Sequence, residues 1–306
     1  MLPFIHPSGG DCFETSPGYC FGSVSYKPEL AHQVVQFIGS SMTAKRRGSV
    51  LAWIGPYPGE EIENMFRRNH QGPGYRDFIA AIAAKKQARG YLEVGVRDGG
   101  TLSGVGCEAI GVDPEFKIRY DILANKNAVH LYSMTSDVFF RDHDPRVILG
   151  RSPDVIFLDG LHQFEYLLRD FINSERIAHR DTVVMLDDCL PINAEMTERV
   201  FNMAGRLDRD NAPSWTGDVW KIIPILKTYR PDLHITLVDT QPTGTVCVTN
   251  LDPDSTVLRD HYYQIIQAYI LEMMDDAAIE RFYDSNPVAS GEVILSDFNA
   301  SIFVGP

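Results

Sequence analysis

Downstream of residue 75 the chain alternates between two spacings of apolar residues. Short runs that are apolar on both faces fall at residues 90–94, 109–113, 128–133, 154–159 and 182–187. Such runs suit strands of a sheet covered by helices on both sides. Between them the spacing lengthens. "YRDFIAAIAAKKQ" at residues 75–87 places apolar residues at helical intervals and ends in Lys and Gln before Gly90. Residues 163–177 put Phe164, Leu167, Leu168 and Phe171 on one helical face. Strand and helix in alternation predict a parallel sheet wound with helices. After Pro191 the pattern becomes irregular. "GDVWKIIPILKTY" then predicts a helix kinked or started near Pro224, and "HITLVD" and "TGTVCVT" predict two more strands. The link at residues 242–244 is too short for a helical crossover, so these two strands must pair antiparallel.

Five parallel strands followed by an antiparallel pair resemble the seven-stranded sheet of the class I S-adenosylmethionine-dependent methyltransferases. The resemblance covers residues 75–250 and implies an α/β, Rossmann-like, mostly parallel sheet. Outside it lie an N-terminal arm or cap (1–74) and a C-terminal helical tail (251–306). The arm is rich in Gly, Pro and Ser, with one possible helix, "KPELAHQVVQFIGS", and a β-like run, "SVLAWIGPYP". The tail reads as one or two helices over residues 255–284, with Leu258, Tyr262, Ile265, Tyr269 and Met273 on one stripe. That stripe suits a helix docked on the core. It suits a dimer interface equally, because Ile266, Ile270 and Met274 widen the apolar surface, and a homo-oligomer is expected on that ground.

Composition narrows the partners. The 306 residues carry a net charge of −13, which repels phosphate backbones, so nucleic acid is not an expected partner. The one dense basic cluster, "AKRRG" at residues 44–48, reads as a solvated loop. No apolar run reaches the ~18 residues of a membrane span. The N-terminus lacks a basic region followed by a long apolar stretch, so a cytoplasmic location is expected. The five cysteines are Cys12, Cys20, Cys107, Cys189 and Cys247; none forms a CxxC pair, which fits free thiols in a reducing compartment. Cys12 and Cys20 read as ordinary small residues rather than metal ligands.

Candidate chemistry gathers at the strand ends. In a doubly wound sheet, ligands bind beyond the carboxyl ends of the strands, where the strand order reverses. The first strand ends there, in "YLEVGVRDGGT" (residues 91–101). Gly95 permits a tight turn, and Gly99 and Gly100 allow close backbone approach to a ligand. The second strand ends in Asp113, placed to accept hydrogen bonds from two vicinal ribose hydroxyls. The run resembles motif I of the methyltransferase family, an acidic residue followed by G-x-x-x-G. The resemblance implies S-adenosyl-L-methionine as cofactor. In it, Glu93 anchors the loop or the ligand's ammonium, and Gly95, Gly99, Gly100 and Thr101 form the cradle. Met134, Ser136 and Asp137, after the third strand, lie against the adenine. Each position also has an ordinary reading as a turn residue.

The strongest constellation is split in sequence. "DVIFLDGLHQFEY" ends the fourth strand in Asp159, with His162 three residues on; "VVMLDDCLP" ends the fifth in Asp187 and Asp188. Neighbouring strand ends would bring three carboxylates together, and clustered carboxylates repel unless a cation compensates them. The arrangement resembles the metal-dependent small-molecule O-methyltransferases of the catechol and the sugar or macrolide types. That resemblance implies Asp159, Asp187 and Asp188 as ligands of a divalent metal, Mg²⁺ first. Asp159 also touches the cofactor, and the acceptor is a small hydroxylated molecule. The catechol type has a lysine where His162 stands, and His162 is the candidate base; it could instead orient Asp159 or the substrate. The sugar type has Asp-Gly-Asp, and Leu161 departs from it. Two further readings stay open: a metal-independent methyltransferase using His162, and an idle scaffold that keeps the fold. In "WTGDVWK" (residues 215–221), Asp218 reads as a helix N-cap with Trp215 and Trp220 packed, although these aromatics could also line the acceptor pocket.

Overall fold

The computed structural model describes residues 69–297. The arm's possible helix and β-like run, the basic cluster, Cys12 and Cys20 lie outside the described residues.

The alternation of apolar runs becomes eight strands. They are β1 (Gly90–Val94), β2 (Glu108–Val112), β3 (Val129–Tyr132), β4 (Val155–Leu158), β5 (Val183–Leu186), β6 (His234–Val238), β7 (Thr245–Thr249) and β8 (Val288–Ala289). Their order is β3-β2-β1-β4-β5-β7-β6-β8. β1 to β5 run parallel, and β7 lies antiparallel between β5 and β6. This mostly parallel sheet with an antiparallel pair at one edge is what the resemblance to the class I methyltransferases implies, with one strand added beside β6. The sequence reading gave seven strands. β8 pairs only two residues with β6, Leu237 with Val288 and Val238 with Ala289, too short a run to show any periodicity.

Side-chain alternation along the strands builds a core on each face. Leu92, Val94, Ile156, Leu158, Val184 and Leu186 face one way, against α5 (Phe164–Ile177) and α6 (Ile222–Tyr229). Tyr91, Phe157, Val183 and Met185 face the other, against α1 (Tyr75–Lys85). On α5, Phe164, Leu167, Leu168 and Phe171 are all buried, as their spacing predicts. Helix α6 begins two residues before Pro224, after a 3₁₀ turn at Val219–Lys221. A proline within the first turn costs no intrahelical hydrogen bond, so the helix starts there without a kink.

Between the sheet and the tail's β8 the chain forms α7 (Val257–Asp260), α8 (Tyr262–Tyr269) and α9 (Asp276–Ser285), with α10 (Gly291–Ser296) after it. Leu258 and Ile265 are buried, and Tyr262, Tyr269, Ile266 and Ile270 pack partly against the core. The stripe therefore docks. Its last predicted member does not: α8 ends at Tyr269, the phase breaks, and Met274 is buried while Met273 is 91% exposed.

Asp218 caps a helix, though not the one that follows it. It makes no side-chain cap bond to its own 3₁₀ turn. Its Oδ1 instead accepts the Phe164 N–H at the start of α5, at 3.0 Å. Its Oδ2 takes Arg199 Nη1 at 2.5 Å and Lys221 Nζ at 2.9 Å. The Lys221 side chain is 1% exposed, so its charge has almost no water to fall back on. Asp218→Ala is expected to cost about 3–5 kcal/mol, since removing one partner strands a buried charge. Urea unfolding of the purified variant measures this; a loss below about 1 kcal/mol would contradict the assignment.

Candidate active site

The register of the parallel strands sets the site. Val94 pairs with Val112 and Leu158, and Leu158 pairs with Leu186. One residue farther along, the ladder continues for a single step. Asp113 N–H donates to Tyr132, Gly95 N–H to Val112, Asp159 N–H to Val94 and Asp187 N–H to Leu158. Asp113, Gly95, Asp159 and Asp187 thus stand in a row along the carboxyl edge. Gly95 sits where the order reverses, with φ +90°. A Cβ there would lie 1.7 Å from the Asp159 carbonyl oxygen, so only glycine lets β1 and β4 close at this point.

All four line a cavity of about 820 Å³. At one end, Asp113 is 8% exposed and accepts the N–H groups of Arg97 and Glu115, both at 2.7 Å. These bonds fix the carboxylate at the β2 tip and leave lone pairs for a ligand. Ser136 and Asp137, which open α3 (Ser136–Asp142), line the same end. Asp137 is held by Arg169 through two hydrogen bonds, at 2.7 and 2.8 Å.

At the other end stands an acidic cluster with one imidazole. Ligand atoms of Asp159, His162 and Asp188 lie within 4.8 Å of one another. His162 Nε2 is 3.6 Å from Asp159 and Nδ1 is 3.3 Å from Asp188. Nδ1 also lies 2.6 Å from the Trp215 carbonyl. A carbonyl only accepts, so Nδ1 carries a proton and Nε2 is the nitrogen left for proton exchange. The Trp215 ring stacks on the imidazole at 4.7 Å and 13°. Gly217, at φ +55°, lets this segment cross His162; a Cβ there would lie 1.8 Å from the His162 carbonyl oxygen. Asp188 also has positive φ, +59°, which Asp tolerates better than most residues, and Thr243 donates to it at 2.5 Å. Asp187 is more deeply set: 6% exposed, with Thr245 donating at 3.3 Å.

The electrostatics of this end are those of excess negative charge. Burial pushes Asp159 up to about 6, against the His162 hydrogen bond and with the Asp188 charge. Burial, then Asp188 and Asp159, push Asp187 well above the carboxylate range. Burial works to lower His162, but Asp188 and Asp159 outweigh it and raise it to about 9. Without a metal, His162 is an imidazolium that compensates part of the cluster. The donor set, carboxylate oxygens short of positive charge, fits a hard divalent cation.

Other residues singled out in the sequence stand elsewhere. Glu93 is 1% exposed on the same face of the sheet as Asp159 but one step deeper, where it accepts from Tyr91 at 2.8 Å; burial raises its pKa well above the usual range, and it does not line the cavity. Gly99, Gly100, Thr101 and Met134 do not line it either. The missing side chains at Gly99 and Gly100 make room for Ile122 and Arg76. Sequence reasoning missed Tyr75, Arg97, Thr243 and Asp170 as lining residues. Only Asp170, a carboxylate inside the apolar run "LLRDF", left a signal.

No family model matches the chain, and no curated protein does. Among solved structures it is similar to the O-methyltransferase TomG from Streptomyces achromogenes in complex with SAM. The identity is 14% over 58% of this chain and 80% of that one, with a TM-score of 0.40. It is similar to the O-methyltransferase from Bacillus cereus in complex with SAH, at 13% over 62% and 86%, with a TM-score of 0.40. The SAH-bound Podospora anserina methyltransferase PaMTH1 is 14% identical over 76% of this chain and all of its own, with a TM-score of 0.40.

The raised His162 pKa can be read directly. In metal-free protein its ring signals should titrate near pH 9, and Asp188→Asn should move the midpoint down, because it removes the charge that most favours the imidazolium. Proton NMR of the histidine ring measures both. A wild-type midpoint near the unperturbed ~6.5 would contradict the described charge balance.

Proposed function

We propose that the chain is an S-adenosylmethionine-dependent methyltransferase that methylates a hydroxyl of a small molecule beside the Asp159–His162–Asp188 cluster. One observation carries the reading. A ribose-type acceptor at the β2 tip and an acidic, imidazole-bearing cluster at the β4 and β5 tips open into a single cavity at the strand-order reversal.

S-adenosylmethionine, when bound, supplies an electrophilic methyl on sulfur. The residues supply placement and proton handling, which carry most of the rate in an in-line transfer. Asp113 accepts the ribose hydroxyls. Gly95 lets β1 close onto β4, which sets Asp159 beside the cavity floor. Trp215 shields His162 from water and holds its ring plane, and the Trp215 carbonyl keeps the proton on Nδ1. His162 Nε2 is then the atom that takes the acceptor's proton. Its raised pKa leaves little free base at pH 7, so compensation of Asp159 and Asp188 by other positive charge brings the base into range.

A divalent cation held by Asp159, Asp188 and Asp187 would lower the pKa of an acceptor hydroxyl. The cluster supports this because its carboxylates outnumber its one imidazole. The metal-independent version is favoured by the same imidazole, which already sits between two carboxylates and can exchange protons without an ion. Chelation separates the two.

Calorimetry on the full chain should show binding of S-adenosylmethionine or S-adenosylhomocysteine. Asp113→Ala should weaken it by about 1–3 kcal/mol, and chelator should leave it unchanged. Binding of neither ligand to well-folded protein would overturn the function. With an acceptor in hand, loss of turnover in chelator while cofactor binding persists supports the cation; full turnover leaves His162 alone as the proton acceptor.

A further inference from the structure

The acidic end of the cavity is apolar where it meets water. Leu161 is 48% exposed and Phe201 45% exposed, and both line the cavity. The Phe201 ring lies 5.8 Å from the Trp215 ring, which lies 4.7 Å from the His162 ring. The His162 side chain is only 22% exposed. Phe201, Trp215 and His162 thus form an aromatic wall that leads from the rim inward to the imidazole. The one polar atom of the Trp215 ring, Nε1, already donates to the Glu198 carbonyl. Large apolar side chains left in water beside a cavity gain from being covered, at roughly 25 cal/mol per Å².

Charge narrows what can cover them. Asp159, Asp187 and Asp188 line this end, and among the described residues no lysine or arginine lines it beside them. The two cationic side chains that line the cavity, Arg97 and Lys117, belong to the Asp113 end. The Arg97 N–H holds Asp113, the Lys117 N–H donates to the Arg97 carbonyl, and Lys117 Nζ lies 3.3 Å from Glu115. Arg76, whose charge reaches Asp159 from α1, is held by the Tyr75 hydroxyl at 3.1 Å and by Asp98 at 3.2 Å, and does not line the cavity. Arg206 packs on the Phe201 ring at 5.2 Å, is 3% exposed, and does not line it either. An anionic group brought to this end would lose water and meet carboxylates with no cation to pair it. The hydroxyls of a polyol laid on Leu161, Phe201 and Trp215 would lose water without gaining partners from those side chains.

We propose that the acceptor is a hydroxylated compound with an apolar, ring-sized body and no anionic group, and that Phe201 and Leu161 select it. Its hydroxyl reaches His162, and its body lies along Phe201, Trp215 and Leu161, where a planar ring can stack. Sugars and phosphorylated or carboxylated compounds fall outside this class. The inference rests on the methyltransferase reading of this cavity and names the kind of acceptor it takes.

The test is ligand-observed NMR on the full chain saturated with S-adenosylhomocysteine, in chelator. The probes are three phenols of similar size, uncharged 4-ethylphenol, cationic tyramine and anionic 4-hydroxyphenylacetate, with methyl glucoside as the polyol. 4-Ethylphenol and tyramine should each bind about tenfold or more tightly than the other two. Phe201→Ser should weaken 4-ethylphenol by about tenfold. Leu161→Lys should strengthen 4-hydroxyphenylacetate by about tenfold and weaken tyramine. Wild type that binds the anion or the glucoside as tightly as 4-ethylphenol overturns the inference, whether or not the variants fold. So does failure of all four probes to bind the S-adenosylhomocysteine-loaded protein, and so do unchanged affinities in well-folded Phe201→Ser and Leu161→Lys proteins. In each of these cases the methyltransferase reading survives. Failure of S-adenosylhomocysteine itself to bind overturns both.

Discussion

One extra rung of backbone hydrogen bonding organises this protein. Each central parallel strand donates one further N–H to its neighbour just past the last paired residue. In a parallel ladder, evenly spaced bonds keep neighbouring strand ends level. Here that places Asp113, Gly95, Asp159 and Asp187 side by side. The site is therefore a property of register. Shifting β4 by one residue would turn Asp159 to the other face and put Leu158 or Gly160 in its place. The two apolar cores oppose such a slip, because every strand from β1 to β5 except β3 is buried along almost its whole length.

The same alignment concentrates negative charge where the fold gains nothing from it. Asp187 and Asp159 are held against burial and against Asp188, and their pKa values rise accordingly. Elsewhere two buried carboxylates, Glu175 and Asp218, have cations. Arg230 takes Glu175 at 2.6 and 2.7 Å, and Lys221 and Arg199 take Asp218. At the strand ends a single histidine stands between two acids, Asp159 and Asp188, and Asp187 accepts from Thr245. The contrast sets Glu175 and Asp218, which are saturated, apart from Asp159 and Asp187, whose negative charge is left under-compensated.

The parts of this design that were legible in the sequence are those fixed by local period. Strands buried on both faces announce themselves as apolar runs, and an acidic residue ends three of the five, so Asp113, Asp159, Asp187 and its neighbour Asp188 could be picked out beforehand. Contacts between distant segments could not. Trp215 reaches His162 across 53 residues, and Asp218 caps α5 from 54 residues away. Both read locally as parts of a helix start. Glu93 shares the face of Gly95, Asp159 and Asp187 but lies one step deeper in the sheet, where it accepts from Tyr91 and does not line the cavity, although its neighbourhood resembles a cofactor motif. Glycines at 99 and 100 were visible as a pattern, but the side chains that use their space, Ile122 and Arg76, were not. β8 was illegible because two residues carry no period.

A crystal structure of the full chain with S-adenosylhomocysteine tests the central claim most directly. The ribose hydroxyls should lie within hydrogen-bond distance of Asp113, and the sulfur should face the Asp159–His162–Asp188 cluster. A ligand bound elsewhere, or bound in the cavity with its sulfur turned away from that cluster, would contradict the account.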